Sequence, residues 1–385
     1  MKREYQICKD CVSDSSLPEI FFDNLGVCNY CEQFKAIIKE IETSSKVNDY
    51  LNAHIQKIKS TKNKNYDVLI GVSGGVDSMF LVDFAVKKGL KVLAVNFDNG
   101  WHSEIAVSNI RKCLNKLNVD LETYVVDYDE MKGLLISYMK AGLAWIDFPT
   151  DNAINATLYK IASKHNIKYI FNGSSIRTEG KQPLEWTYSD SRQLKFINKK
   201  FGEKKIKTFP LLSPMKLIYY SIIKKIVLVR PLNYLNYDKS EAKKILIKKY
   251  GWKDYGGHHH ESVFTKFAIA YWLPKKFNID KRIITYSAQI RSGLLKRDKA
   301  LSLLSLPPYD EKLMLEDKEY VLKKLNISSK EFEKIWNNKN KSLYSYPSLI
   351  HIIKRFSFLS SFVLNFIFGF KPLIGFELKK KKESQ

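Results

Sequence analysis

The sequence predicts an α/β fold built on a doubly wound parallel sheet. Three observations carry that expectation. Short apolar runs alternate with helix-length segments from Tyr66 to Phe171. A serine-glycine turn follows the first run at once, and later runs end in Asp-Asn-Gly and Asn-Gly turns at 98–100 and 172–173.

Residues 1–45 carry four of the five cysteines and read as a small metal-dependent module. Residues 46–66 read as a polar helix and linker. Tyr66–Val72 is an apolar run ending in Gly and Ser, suited to a strand buried on both faces. The pattern then predicts a helix over Met79–Lys88, a strand over Lys91–Phe97, a helix over Ser103–Leu117 and a strand over Leu121–Val126. A helix over Ile154–His165 and a strand over Tyr169–Phe171 complete the alternation. From Gly180 to Lys225 the pattern loosens into helices and loops laid over the sheet. Residues 238–345 read as mostly helical, broken by the 251–260 loop and Pro307-Pro308. The chain becomes strongly apolar from Leu349 to Phe376 and ends in Lys379–Lys382. The expected organisation is therefore a knuckle at 1–45, an α/β domain at 46–237, a helical substrate or partner domain at 238–345, and an apolar-basic tail at 346–385.

A hydrophobic share of 45% and a charged share of 27% exclude a disordered chain and a polytopic membrane protein. Met1–Lys9 is polar and runs straight into Cys8 and Cys11, so no secretory signal is expected and a cytoplasmic location is. The net charge of +24 suggests anionic partners, but nine arginines against a great excess of lysines fit a solvated lysine-rich surface better than base-reading contacts. No nucleic-acid partner is expected.

Ser73-Gly74-Gly75-Val76-Asp77-Ser78 lies between an expected strand and an expected helix. Two glycines let the backbone turn tightly and aim N–H groups at an anion, while Ser73 and Ser78 add hydroxyls. A Walker A lysine and the G-x-G-x-x-G fingerprint are both missing. The bland alternative is a turn that caps a helix. Asp98 and Asn99 end the next strand at the edge where open α/β sheets bind ligands, and Gly173 sits at a comparable edge.

Cys8-x-x-Cys11 and Cys28-x-x-Cys31, sixteen residues apart, suit a structural four-thiolate zinc site, with a disulfide pair as the alternative. Cys113 falls among Ile110, Leu114 and Leu117 and reads as a buried apolar residue.

Taken in order, the CxxC pairs, SGGVDS at 73, FDNGW at 97 and Gly256-Gly257-His258-His259-His260-Glu261-Ser262 form one pattern. Phe264-Thr265, Tyr271-x-Leu273-Pro274-x-Lys276-Phe277 and Ile279-Asp280-Lys281-Arg282 continue it. Over residues 5–312 this pattern resembles the N-acetyl sugar amidotransferases of bacterial surface-glycan synthesis, the WbpG-like and PseA-like proteins of lipopolysaccharide and flagellin-sugar pathways. Its nucleotide loop resembles that of the PP-loop ATP pyrophosphatases. One departure is visible: the family pattern runs GG-Lys-His-aromatic-Glu-Ser, so only His259 carries over as a family histidine. His258, His260 and their neighbours could instead bind a metal.

The resemblance implies a PP-loop ATP-binding domain and conversion of an acetamido group into an acetamidine through an adenylylated intermediate. It implies ATP bound by Ser73–Ser78, with Asp98, Asn99 and Gly173 at the other strand edges. Mg2+ would be held by Asp77 and Asp98. Asp77, Glu179, His259 and Glu261 would do the catalytic work, and Lys276, Lys281 and Arg282 would hold a nucleotide- or lipid-linked N-acetyl sugar. Each of these has a structural or surface alternative. The sequence shows no glutaminase nucleophile, so the resemblance implies a separate HisH/HisF-like pair supplying ammonia. A PP-loop tRNA-modifying enzyme, a thiolase or lysidine-type, is the alternative activity. Phe356–Phe370 is apolar and flanked by lysines but shorter than the roughly 20 residues a membrane span needs. The tail is therefore expected either to lie on a membrane surface or to be buried against protein.

Overall fold

The computed structural model describes residues 4–43, 47–61, 65–257 and 260–356. Two helices, α1 (Asn29–Thr43) and α2 (Val47–Ser60), precede the sheet. The sheet strands are β1 (Val68–Gly71), β2 (Val92–Asp98), β3 (Asp120–Val125), β4 (Tyr169–Phe171) and β5 (Val227–Val229). All neighbours pair in parallel, in the order β3-β2-β1-β4-β5. The chain runs outward from β1 through β2 and β3, then returns to the other side of β1 for β4 and β5. The reversal falls between β1 and β4, where a doubly wound sheet opens a crevice at its carboxyl edge.

Helices α3 (Val76–Lys87), α4 (Glu104–Leu117), α5 (Tyr128–Ala141) and α6 (Phe148–Lys164) connect the first four strands. Ser103 starts α4 and Asp127 starts α5 by accepting N–H bonds from Ala106 and Glu130. Two short turns, α7 (Ile176–Glu179) and α8 (Leu184–Thr187), lead to α9 (Ser191–Phe201) and α10 (Pro214–Ile218), which continues as a π turn over Tyr219–Ile223. The helical remainder comprises α11 (Lys239–Tyr250), α12 (Val263–Phe267), α13 (Leu273–Phe277), α14 (Arg282–Arg291), α15 (Arg297–Leu304), α16 (Glu311–Leu325), α17 (Ser329–Asn337) and α18 (Ile350–Arg355).

Two helices differ from the sequence expectation. The helix α3 begins at Val76, because Asp77 and Ser78 belong to its first turn. Six residues before its expected start, α6 begins at Phe148, with Pro149 in its first turn, where a missing N–H costs nothing. Its early residues Asp151, Asn152 and Asn155 face polar surroundings, which hides the apolar period. The helix α5 and strand β5 were not anticipated at all.

The sheet core divides by face. One cluster joins Ile70, Val82, Ile110 and Cys113 with Leu246 and Trp252, so α11 packs on α3. Another joins Leu69, Val95, Leu158 and Ile170 beneath α6. A third, around Trp101, Tyr138, Phe264, Trp272 and Leu325, ties α5 to the helical remainder. Among the described residues, no helix is long and apolar enough to cross a membrane. The Phe356–Phe370 expectation lies outside the described residues apart from Phe356.

Candidate active site

The Ser73–Ser78 loop begins where β1 ends. Gly74 adopts φ +80°, and a Cβ there would lie 2.3 Å from the Ala106 carbonyl oxygen. Its own carbonyl accepts from Trp252 Nε1 at 2.8 Å. Only glycine satisfies both the left-handed turn and this approach to α4. Gly75 is the N-cap of α3 and offers no side-chain cap, so the start of α3 lies at the cleft, which Gly75, Asp77 and Ser78 line. Ser73 Oγ lies 3.4 Å from Glu261 Oε1, and Ser78 Oγ donates to the Gly75 carbonyl at 3.2 Å. At Gly173, a Cβ would stand 3.3 Å from the Asp77 carbonyl carbon and the Ser78 nitrogen. Gly173 therefore lets the β4 edge close on the start of α3.

Charge gathers around Lys239, in the first turn of α11. Its Nζ is 2.6 Å from Asp77 Oδ2, and Tyr237 donates to Asp77 Oδ1 at 2.5 Å. Burial works against the Lys239 charge, but Asp77, Glu179 and Glu261 outweigh it and raise the pKa. Sequence reading missed Tyr237 and Lys239. Asp238 caps α11 through the N–H groups of Ser240 and Glu241, a legible helix start, but only packing of α11 on α3 aims Lys239 at Asp77.

The opposite wall is built around Lys281. Its Nζ lies 4.1 Å over the Trp145 ring, and burial lowers its pKa against the pull of Asp151, Glu179 and Asp147. Trp145 Nε1 donates to Asp151 at 2.7 Å, and Thr265 Oγ1 donates to Asp147 at 2.6 Å. Glu261 arrives by a short antiparallel pairing: Ser103 N donates to Glu261 O at 2.8 Å, and Val263 N to Trp101 O at 2.9 Å. His102 lies beside it, and burial lowers its pKa against Asp98 and Glu261, which favours the neutral imidazole.

These groups line one cleft of about 590 Å³ at the sheet's switch point. It contains Ser73, Gly75, Asp77, Ser78, Asn99, Gly173, Glu179, Glu261 and Lys281 of the expected residues. Gly74 and Val76 lie beneath the loop as packing. Asp98 accepts from Gly100 N at 2.8 Å within its own turn, beside His102 rather than among the cleft-lining residues. Lys276 Nζ binds the carbonyls of Trp336 and Asn338, the latter at 2.8 Å, beside two tryptophan rings and away from the cleft. Arg282 forks onto Asp280 and caps the Leu303 and Leu306 carbonyls at 3.1 and 3.0 Å, also away from the cleft. His258 and His259 lie outside the described residues. His260 Nδ1 accepts from Gly257 N at 3.0 Å.

The four cysteines form a second, separate centre. Their sulfurs stand 3.8 Å apart for Cys8–Cys31 and Cys11–Cys28, 3.7 Å for Cys28–Cys31 and 3.5 Å for Cys11–Cys31. A tetrahedron with Zn–S bonds of about 2.3 Å has edges of about 3.8 Å, so the cluster could hold zinc without rearrangement. The Arg291 guanidinium donates to Cys11 and Cys31 sulfurs at 3.1 and 3.2 Å, a counter-charge suited to a tetrathiolate. Arg297 fastens the Cys8 and Cys11 carbonyls at 2.9 and 3.0 Å. Cys113 stands apart, and burial pushes its thiol up to about 11.

Comparison with known proteins bears on this arrangement. Residues 261–358 match the family model described as LPS biosynthesis protein WbpG-like, C-terminal domain. No curated protein matches the sequence. Among solved structures, a tRNA methyltransferase subunit from Methanocaldococcus jannaschii is 14% identical, with 46% of this chain and 74% of that one covered at a TM-score of 0.28. NMN synthetase from Francisella tularensis is 13% identical, with 65% and 95% covered at 0.26. NH3-dependent NAD synthetase from Campylobacter jejuni is 15% identical, with 77% and 95% covered at 0.31. The matched segment starts at Glu261 and runs through Lys281, so the region of this chain that resembles the WbpG-like C-terminal domain also builds a wall of the cleft at the Ser73–Ser78 loop.

Proposed function

We propose that the protein is an ATP-dependent, AMP- and pyrophosphate-forming amidotransferase that converts the acetamido group of an activated N-acetyl sugar into an acetamidine. The observation that carries this reading is the meeting of two features in one cleft. The Ser73–Ser78 loop suits a pyrophosphate leaving group, and the WbpG-like segment supplies Glu261, Ser262, Thr265 and Lys281 opposite it. The acetamide oxygen attacks the α-phosphorus, and pyrophosphate leaves. Ammonia then adds to the imidate carbon, and AMP departs carrying that oxygen. Loop N–H groups and Lys239 receive the pyrophosphate charge. Asp147, Asp151 and Glu179 face the region where an amidine would become cationic. Lys281, whose charge burial disfavours, stands at the cleft wall where the attacking ammonia must lose a proton and is the group placed to take part in that transfer. Mg2+ would neutralise phosphate charge, and Asp77 is the loop carboxylate that could hold it.

Ammonia would come from a separate HisH/HisF-like glutaminase, and the substrate would be a nucleotide- or lipid-linked sugar of lipopolysaccharide or flagellin-glycan synthesis. An ATP-consuming step on such a precursor suits the cytoplasm. A tRNA thiolase needs a reactive thiol, whereas Cys113 is buried with a raised pKa and the other four are gathered in the knuckle.

The test is pyrophosphate release from ATP by the purified chain with ammonium salt and nucleotide-linked diacetamido sugars, with tRNA as the parallel arm. The sugar arm is expected to respond and to yield a product lighter by the difference between O and NH. Stimulation by tRNA alone, or activity on glutamine without an added partner, contradicts the reading. In this assay Asp77→Asn is expected to slow turnover by about 100-fold or more. Lys281→Met is expected to keep ATP binding yet reduce amidine formation by about 100-fold. Wild-type amidine yield from the Lys281 variant would remove the lysine from the mechanism.

A further inference from the structure

We propose that the outer stripe of the segment 214–223 docks the protein on a membrane surface of anionic lipid. This proposal does not depend on the reaction above.

Met215, Tyr219, Ile222 and Ile223 are 74%, 44%, 40% and 66% exposed. All four lie on the solvent side of the segment, Met215 in α10 and the other three in the π turn that continues it. The opposite face is committed to the core: Leu217 and Tyr220 pack beside Ile226, and Tyr220 stacks on Tyr159 with ring centroids 5.6 Å apart. The segment is therefore amphipathic in reverse, with apolar groups both in the core and in water. A lone exposed apolar residue needs no explanation, but four on one side of a short segment do.

Charge identifies the occupant. No acidic residue occurs between Glu203 and Asp238, whereas Lys216, Lys224 and Lys225 lie within or directly beside the stripe. Lys216 is exposed at one end of the stripe. At the other, Lys225 takes φ 54°, which turns Ile226 into the core and leaves its own side chain outside. Aliphatic and aromatic groups at the centre with lysines at the rim suit the boundary between acyl chains and anionic headgroups. A ten-residue helix about 15 Å long presents far less area than the roughly 800 Å² per partner of a stable protein interface.

The stripe is anchored to a wall of the cleft. Asn152 in α6 holds Leu212 through two hydrogen bonds of 2.9 and 3.2 Å, just before α10 begins. Its neighbours Asp151 and Asn155 line the cleft. Docking would thus hold α6, and with it one side of the site, next to the lipid surface.

Flotation of the full chain with phosphatidylcholine–phosphatidylglycerol vesicles, against phosphatidylcholine alone, tests the proposal. The wild type is expected to float with the anionic vesicles and to be released by salt. The combined Met215→Ser, Tyr219→Ser, Ile222→Ser and Ile223→Ser chain should melt at the wild-type temperature, since these side chains are exposed. It should bind the vesicles on the order of 100-fold more weakly. Lys216→Gln with Lys225→Gln should weaken binding by roughly tenfold while leaving the apolar stripe intact. A wild-type chain that stays in solution overturns the proposal. So does a stripe variant that floats equally well, which would move lipid contact to another part of the chain. A stripe variant that changes only the state of self-association would assign the stripe to protein contact, and that too overturns it.

Discussion

Replacing Gly74 with alanine is expected to abolish pyrophosphate release and to lower stability by about 2–5 kcal/mol. Two costs combine. At φ +80° an L-residue carries a steric penalty of roughly 1–2 kcal/mol. The added Cβ would also meet the backbone of Ala106 at 2.3 Å, and a carbonyl inside α4 cannot swing aside as a side-chain end could. Either α4 or the loop must shift. Since Trp252 also holds the Gly74 carbonyl, the loop is the part with room to give, and its N–H groups lose their aim. Gly75→Ala is the informative control. Its φ is −73°, and its Cβ would meet side-chain ends, the Tyr255 hydroxyl at 3.1 Å, Ser73 Oγ at 3.2 Å and Glu261 Oε1 at 3.6 Å. That variant should melt near the wild-type temperature. Thermal melts beside a pyrophosphate assay separate the two, and an active Gly74→Ala chain of normal stability would contradict the close packing described here.

Removing metal from the cysteine cluster is expected to lower the melting temperature by on the order of 10 °C, and the untreated protein should carry about one zinc per chain. The knuckle has little core of its own. Leu17 and Ile20 pack against Ile283, Ile284 and Trp186, so it is stable only as long as its four thiolates are tied together. Stripping the metal would leave thiols crowded around the Arg291 guanidinium. Arg291→Met is expected to weaken zinc affinity by about 10- to 100-fold in competition with a chromophoric chelator, because it removes the counter-charge from a site of net negative charge. Metal loss should reach the cleft as well, since α14 ends at Arg291 and begins beside Lys281. A metal-free chain that melts and turns over normally would contradict both statements.

Much of the architecture was legible in one dimension because it depends on local rules. The runs at 68–71 and 92–98 are apolar enough to be buried on both faces, which only a parallel sheet under helices satisfies. The paired glycines between strand and helix, and two CxxC pairs with a looped spacer, each require a particular backbone or ligand geometry. The three residues of β5 and the polar start of α6 carried no such signal. A three-residue strand is too short to show alternation, and the cleft-facing residues of α6 are polar because they line a site.

Which charged residues share the cleft was decided by tertiary packing alone. Lys276, Lys281 and Arg282 stand within seven positions of one another and look alike in sequence. Yet Lys276 clamps two carbonyls and Arg282 forks onto Asp280, while Lys281 alone of the three reaches the cleft. Lys239 gave no hint of pairing with Asp77, 162 positions earlier. Spacing along a helix determines which face a side chain takes, but not what that face will meet. Here α11 packs on α3, and the Trp101–Ser103 segment pairs with Glu261–Val263. The sequence by itself determined the sheet, the serine-glycine loop after β1 and the thiolate set, since each follows from local backbone geometry or ligand count. Only the folded chain decided the constellation of Asp77, Glu179, Lys239, Glu261 and Lys281, because its charges become neighbours through contacts made far apart along the chain.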